Sequence, residues 1–139
     1  TEKDDNERTR LFNAAVDALK MVKKYRTKPE ELAELDLMAG EILLRKQAAE
    51  KKLGLNEQAA ETRGKAIVAF QTMIMSMDPG NAALANALEK AYFYCLPLLL
   101  EHKKYKDAEE DCEKYLSLFP DGRYKTDVQN WLNQARIGQ

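Results

Sequence analysis

The sequence predicts an all-α protein of about six helices. Apolar residues recur at steps of three and four through one segment after another, the spacing that places them on a single helical face. Only 6 Gly and 4 Pro occur, and most of them punctuate these segments instead of interrupting them. No two alternating β-branched segments are joined by a turn signal, which leaves no hairpin from which to build a sheet.

The first helix is expected from Asp5 to about Tyr25, with Leu11, Phe12, Ala15, Leu19 and Val22 as its apolar stripe. Lys20, Lys23, Lys24, Arg26 and Lys28 crowd its end, where positive charge complements the exposed carbonyls of a helix C-terminus. A phosphate-binding patch is the functional alternative, but neither an aromatic ladder nor a Gly-rich loop accompanies the cluster. Thr27-Lys-Pro-Glu30 reads as the next helix start, with Thr27 as cap, or the cap shifted by one residue because Pro29 disfavours helical geometry at Lys28. That second helix carries Leu32, Leu35, Ala39, Ile42, Ala49 and Leu53 at a/d-like steps, with Lys46 on the seam.

Gly54 is placed to close the second helix in a left-handed conformation, Asn56 to cap the third, and Leu55 to staple it. The third helix runs to Met77 with Ala60, Ile67, Phe70, Met73, Ile74 and Met77 inward, and Met75 as the exposed methionine. Gly64 costs this helix about 1 kcal/mol relative to Ala, so it is either tolerated or required by a close neighbour. Asp78-Pro-Gly-Asn81 is a turn that leads into a fourth helix burying Leu84, Leu88, Ala91, Tyr92, Cys95 and Leu99. Pro97 lies inside it and predicts a kink near Phe93. Tyr105, Ala108, Cys112 and Tyr115 define a fifth helix. After Pro120 a sixth follows, with Tyr124, Val128, Trp131 and Ala135 inward and Lys125, Gln129 and Asn133 toward water.

Composition narrows the function. Hydrophobic residues are 45% and charged residues 32%, as in amphipathic helices around a core. The net charge of -1, from 22 Lys plus Arg against 23 Asp plus Glu, supplies no field that recruits nucleic acid or anionic lipid. The apolar run Ala91 to Leu100 is too short to span a bilayer and contains Pro97. The chain opens on Thr1 instead of Met, as expected of a processed or shortened chain, and the charged residues that follow do not resemble a signal peptide. One His, two Cys and two Ser, with no elbow motif and no Gly-rich phosphate loop, make an enzyme unexpected. Cys95, Cys112 and His102 lack a fourth ligand and the close spacing of metal sites, so neither metal nor cofactor is expected.

Two segments are loosely self-similar: KAIVAFQTMIMSMDPGN from Lys65 and DAEEDCEKYLSLFPDGR from Asp107. Ala66 and Ala108 lie 42 apart, and Pro79 and Pro120 lie 41 apart. In the better copy, Tyr92, Cys95, Leu99, Tyr105, Ala108, Cys112, Tyr115 and Pro120 fall where the tetratricopeptide repeat family has its large first-helix residues, turn aromatic, small Ala, second-helix contacts and closing Pro. From Glu89 to Pro120 the chain therefore resembles that family, with Ala66 to Pro79 as half of a degenerate, elongated copy. It departs at Leu96, where a small residue is usual, at Lys103, where Gly is usual, and at Tyr115, where Ala is usual. The period also exceeds the usual 34.

The resemblance implies antiparallel helical hairpins stacked as a short right-handed array within one domain, 1–139. Residues 1–53 would form a first helical pair, 56–120 the repeat-like core and 121–139 a capping helix. The tail FPDGRYKTDVQNWLNQA also looks like repeat proteins of bacterial envelope assemblies, which favours a bacterial origin and a periplasmic or envelope location over a cytoplasmic one.

Repeat scaffolds bind on the concave face made by the first helix of each pair. On the fourth helix the residues left after burial are Lys90, Phe93, Tyr94, Pro97, Leu100 and Glu101, an aromatic set for a solvent face. Lys90, Phe93, Tyr94, Pro97 and Glu101 are therefore the expected anchor for a peptide or partner protein, unless other helices cover them. The family's Lys and Asn clamp for C-terminal carboxylates is absent, with Phe93 and Pro97 at two of the matching positions. The alternative function is structural, a homo-oligomer formed through the Leu32 to Leu53 stripe. Cys95 and Cys112 lie on facing stripes, and two reduced buried thiols are favoured over a disulfide.

Overall fold

The computed structural model describes residues 2–25 and 28–139. They form α1 (Glu2–Lys23), α2 (Pro29–Lys52), α3 (Asn56–Ser76), α4 (Ala82–Glu101), α5 (Tyr105–Leu118) and α6 (Lys125–Gly138). No strand occurs among the described residues. None of the helices is long and apolar enough to cross a membrane. The chain divides into two compact units, 1–69 and 70–139, with the boundary inside α3.

In the first unit α1 packs along α2. Lys28 takes the cap position of α2 with extended backbone (φ -72°, ψ 130°) and no capping hydrogen bond from its side chain. Pro29 follows in the first turn, and Glu30 and Glu31 meet the positive end of the helix dipole. The proposed cap Thr27, like Arg26 of the basic cluster, lies outside the described residues. α2 ends as the sequence indicates. Gly54 adopts φ +76°, and its N–H donates to the Lys51 carbonyl while that of Leu55 donates to Glu50, the paired bonds of a Schellman motif.

That motif shifts the start of α3. Asn56 is already helical, and the Leu55 carbonyl accepts the first helical bond from Ala59 N–H at 2.9 Å. The cap position therefore belongs to Leu55, and Asn56 neither caps the helix nor leaves Leu55 to staple it. A Cβ added to Gly64 would meet nothing within 4 Å, so no close neighbour requires that glycine.

Burial in the first unit departs from the leucine stripe. α2 buries Ala33, Leu37, Gly40, Lys46, Gln47 and Glu50, a face rotated from the a/d stripe. Of that stripe only Lys46 is buried; Leu32, Leu35, Ala39, Ile42 and Ala49 are half-buried and Leu53 is exposed. On α1, Phe12, Ala15 and Leu19 are half-buried, whereas Leu11 and Val22, expected inside, are exposed. Periodicity locates an apolar stripe but not the neighbour that would cover it.

The second unit follows the sequence closely. Asp78 accepts a bond from Gly80 N–H at 2.9 Å, and Asn81 caps α4 by accepting from Ala83 N–H at 3.0 Å. α4 packs on both α5 and α6, and α5 packs on α6. Leu84, Leu88, Ala91, Tyr92, Cys95 and Leu99 are all buried, as are Ala108, Cys112, Tyr115, Val128 and Ala135. Lys125, Gln129 and Asn133 are exposed. Pro97 withholds the N–H that the Phe93 carbonyl would accept, yet α4 continues to Glu101.

α4 also ends in a Schellman motif, with Lys103 N–H bonded to Leu100 and Lys104 N–H to Leu99. Lys103 has φ 59°, the left-handed conformation for which Gly is suited and L side chains are strained. The departure from glycine at this position therefore has a physical cost. Lys103→Gly is expected to stabilise the protein by about 1 kcal/mol, read as a higher urea midpoint at unchanged m-value. An unchanged or lower midpoint would contradict the assignment of strain to this turn.

Candidate functional site

Lys90, Phe93, Tyr94, Pro97, Leu100 and Glu101 recur at steps of three and four, so they share one side of α4. All but the exposed Glu101 are half-buried. α6 accounts for part of that cover. The Phe93 ring stacks on Tyr124, with centroids 4.1 Å apart and planes at 22°. It also meets Trp131 at 5.7 Å and Tyr94 at 5.7 Å. Tyr94 reaches Phe70 of α3 at 5.6 Å.

The face is therefore a ladder of rings across α3, α4 and α6. Apolar spacing predicts Tyr124 and Trp131 for the buried stripe of α6, yet both are only half-buried and belong to the ladder. Their signal was present, because two aromatics seven apart lie on one side of a helix and α6 follows a hairpin that already carries aromatics.

The ladder is held from beneath by a polar corner. Glu89 on α4 accepts a hydrogen bond from the Tyr115 hydroxyl at 2.6 Å and a second from Arg123 N–H at 2.7 Å. The Tyr115 hydroxyl accepts from Tyr124 N–H at 3.0 Å. One carboxylate thus joins α4, α5 and the entry to α6, fixing the backbone that presents the Tyr124 ring to Phe93. Burial, and then the bond to Glu89, push the Tyr115 phenol well above the ordinary tyrosine range. Tyr115 and Phe119 also pack around Tyr92, at 5.6 and 6.4 Å.

Behind this corner lie the groups with chemical potential. Cys95 and Cys112 are free and fully buried. Burial, and then the charge of Asp111, push both thiols up, Cys112 to about 12. Thiols held protonated at neutral pH and sealed from solvent are poor nucleophiles. Asp111 is half-buried, and burial raises its carboxyl against the opposing pull of a Gln71 hydrogen bond and of Lys114. Among the described residues no group of three or more His, Cys, Asp and Glu is arranged to hold a metal ion.

No family model, curated protein or solved structure matches the chain.

Proposed function

We propose that this chain is a non-catalytic helical scaffold of tetratricopeptide-like character that holds a peptide or partner-protein segment against α4 and α6. The observation that carries this reading is the half-buried ladder of Tyr94, Phe93, Tyr124 and Trp131. Aromatic rings offer large contact area with few rotors to freeze, and rings that already support one another lose little further freedom when a ligand docks. Lys90 and Glu101 flank the ladder with opposite charges that can orient an extended segment. The left-handed turn at Lys103, where the repeat family has Gly, is a further point in favour of a repeat-like hairpin.

Trp131 is the sole tryptophan and touches Phe93, so its emission reports on this face. Peptides selected from a random library on the intact chain are expected to shift that emission. Phe93→Ala combined with Tyr94→Ala should weaken their binding at least about tenfold while far-UV circular dichroism keeps its helical amplitude. Selected peptides that bind the double variant as tightly as the parent would place recognition elsewhere.

A further inference from the structure

The first unit carries an apolar face that the α4 ladder does not explain. Two grooves open along the α1–α2 hairpin. One, of about 540 Å³, is lined by Val22, Leu35, Glu30, Glu31 and Glu34. The other, of about 410 Å³, is lined by Leu11, Phe12, Ile42, Ala49, Arg8 and Arg45. On α2 their lining residues Glu31, Leu35, Ile42, Arg45 and Ala49 follow steps of three, four and seven, and on α1 so do Arg8, Leu11, Ala15 and Val22. The two grooves therefore lie along one side of the hairpin. Leu11, Met38 and Val22 on that side are 56%, 46% and 42% exposed.

The charges on this face are segregated. Glu30, Glu31 and Glu34 rim one groove, and Arg8 and Arg45 rim the other. Glu31 and Arg45 are separated by about 21 Å of helix, and Met38 falls midway between them in sequence. Arg8 Nη1 is buried without a hydrogen-bond partner, its neighbour Asp5 lying 3.8 Å away. Lys23 and Asp36, which flank the acidic end, already satisfy each other at 2.6 Å. A two-fold axis through Met38 would turn this pattern onto itself, with each acidic rim against a basic rim.

We propose that the α1–α2 face pairs with a second copy of this chain, antiparallel, about a two-fold axis near Met38. Parallel pairing would set glutamates against glutamates and arginines against arginines. An isologous contact needs a self-complementary patch, and this one is self-complementary in charge only in the antiparallel sense. The area suffices: two helices of 22 and 24 residues present a face about 33 Å long and 20 Å wide, roughly 700 Å², close to the 800 Å² per partner of a stable interface. The pairing is independent of the α4 ladder and survives its failure.

The test uses the intact 139-residue chain in sedimentation velocity across about a hundredfold range of concentration. A monomer–dimer equilibrium that weakens with salt is expected. Glu34→Arg alone and Arg45→Glu alone should each weaken the dimer at least about tenfold, since each sets like charges together twice. An equimolar mixture of the two single variants, and the double variant in one chain, should both recover parental affinity. Met38→Glu should leave a monomer. All three positions are exposed, and circular dichroism verifies that the helices persist. A parent chain that stays monomeric throughout overturns the proposal, as does a dimer indifferent to the two charge reversals or one that the mixture fails to restore.

Discussion

Gly122→Ala is expected to destabilise the protein by about 3–5 kcal/mol, the cost of overpacking added to that of a broken charge-assisted network. The cause is space. A Cβ at Gly122 would collide with the Tyr115 hydroxyl, approach Phe119 Cβ to 2.8 Å and Glu89 Oε2 to 2.9 Å. These are the atoms of the corner that ties α4 and α5 to the start of α6, so the methyl cannot be admitted without opening the bonds from the Tyr115 hydroxyl and Arg123 N–H to Glu89. Tyr115 is fully buried, which leaves its ring no direction of easy retreat. Urea denaturation of the parent, Gly122→Ala, Tyr115→Phe and the double variant forms a cycle. The double variant should cost less than the sum of the singles, because Tyr115→Phe removes one colliding atom in advance. A Gly122→Ala variant within about 1 kcal/mol of the parent would show that the corner yields freely.

This corner also marks where the sequence stopped being legible. The all-helical class and most of the buried sets of α4, α5 and α6 followed from apolar spacing, because those helices cover one another and a stripe then coincides with a core; Tyr105, Tyr124 and Trp131 on the same stripes are only half-buried. α1 and α2 repeat the same pattern, yet Leu11 and Val22 remain exposed. Whether a stripe is covered depends on neighbours that its own periodicity does not specify.

Phe93 illustrates the intermediate case. Its place opposite the buried stripe of α4 was readable from spacing, but its stack on Tyr124 depends on how α6 enters. That entry is set by Glu89, which bonds Arg123 N–H across 34 residues. A lone Glu in an amphipathic helix carries no sign that it will serve as an anchor. Turn chemistry read better at Gly54 and Asn81, where one residue determines the geometry, than at Asn56, where the preceding Schellman motif had already set the helix start.

The second large effect is alkaline. Cys95, Cys112, Tyr92 and Tyr115 are all buried, and burial is the leading cause of the raised value of each. A group whose value is raised on folding holds its proton more tightly in the native state, so its contribution is fully present below the unfolded value and is lost as pH rises beyond it. For the thiols that loss begins near their ordinary value of 9.0, and for the phenols near 10.0. Through these four groups stability should therefore be at its full value and independent of pH near neutrality, and fall above pH 9. The slope approaches about 2.7 kcal/mol per pH unit while the two thiols act, and steepens once the phenols join. Denaturant midpoints measured from pH 7 to 11 provide the check. Cys95→Ala with Cys112→Ala lowers the starting stability through lost packing, but it should move the onset of the decline up to the tyrosine range near 10.0. A decline that begins at the same pH in parent and double variant would mean that the thiols ionise as easily inside the fold as outside it.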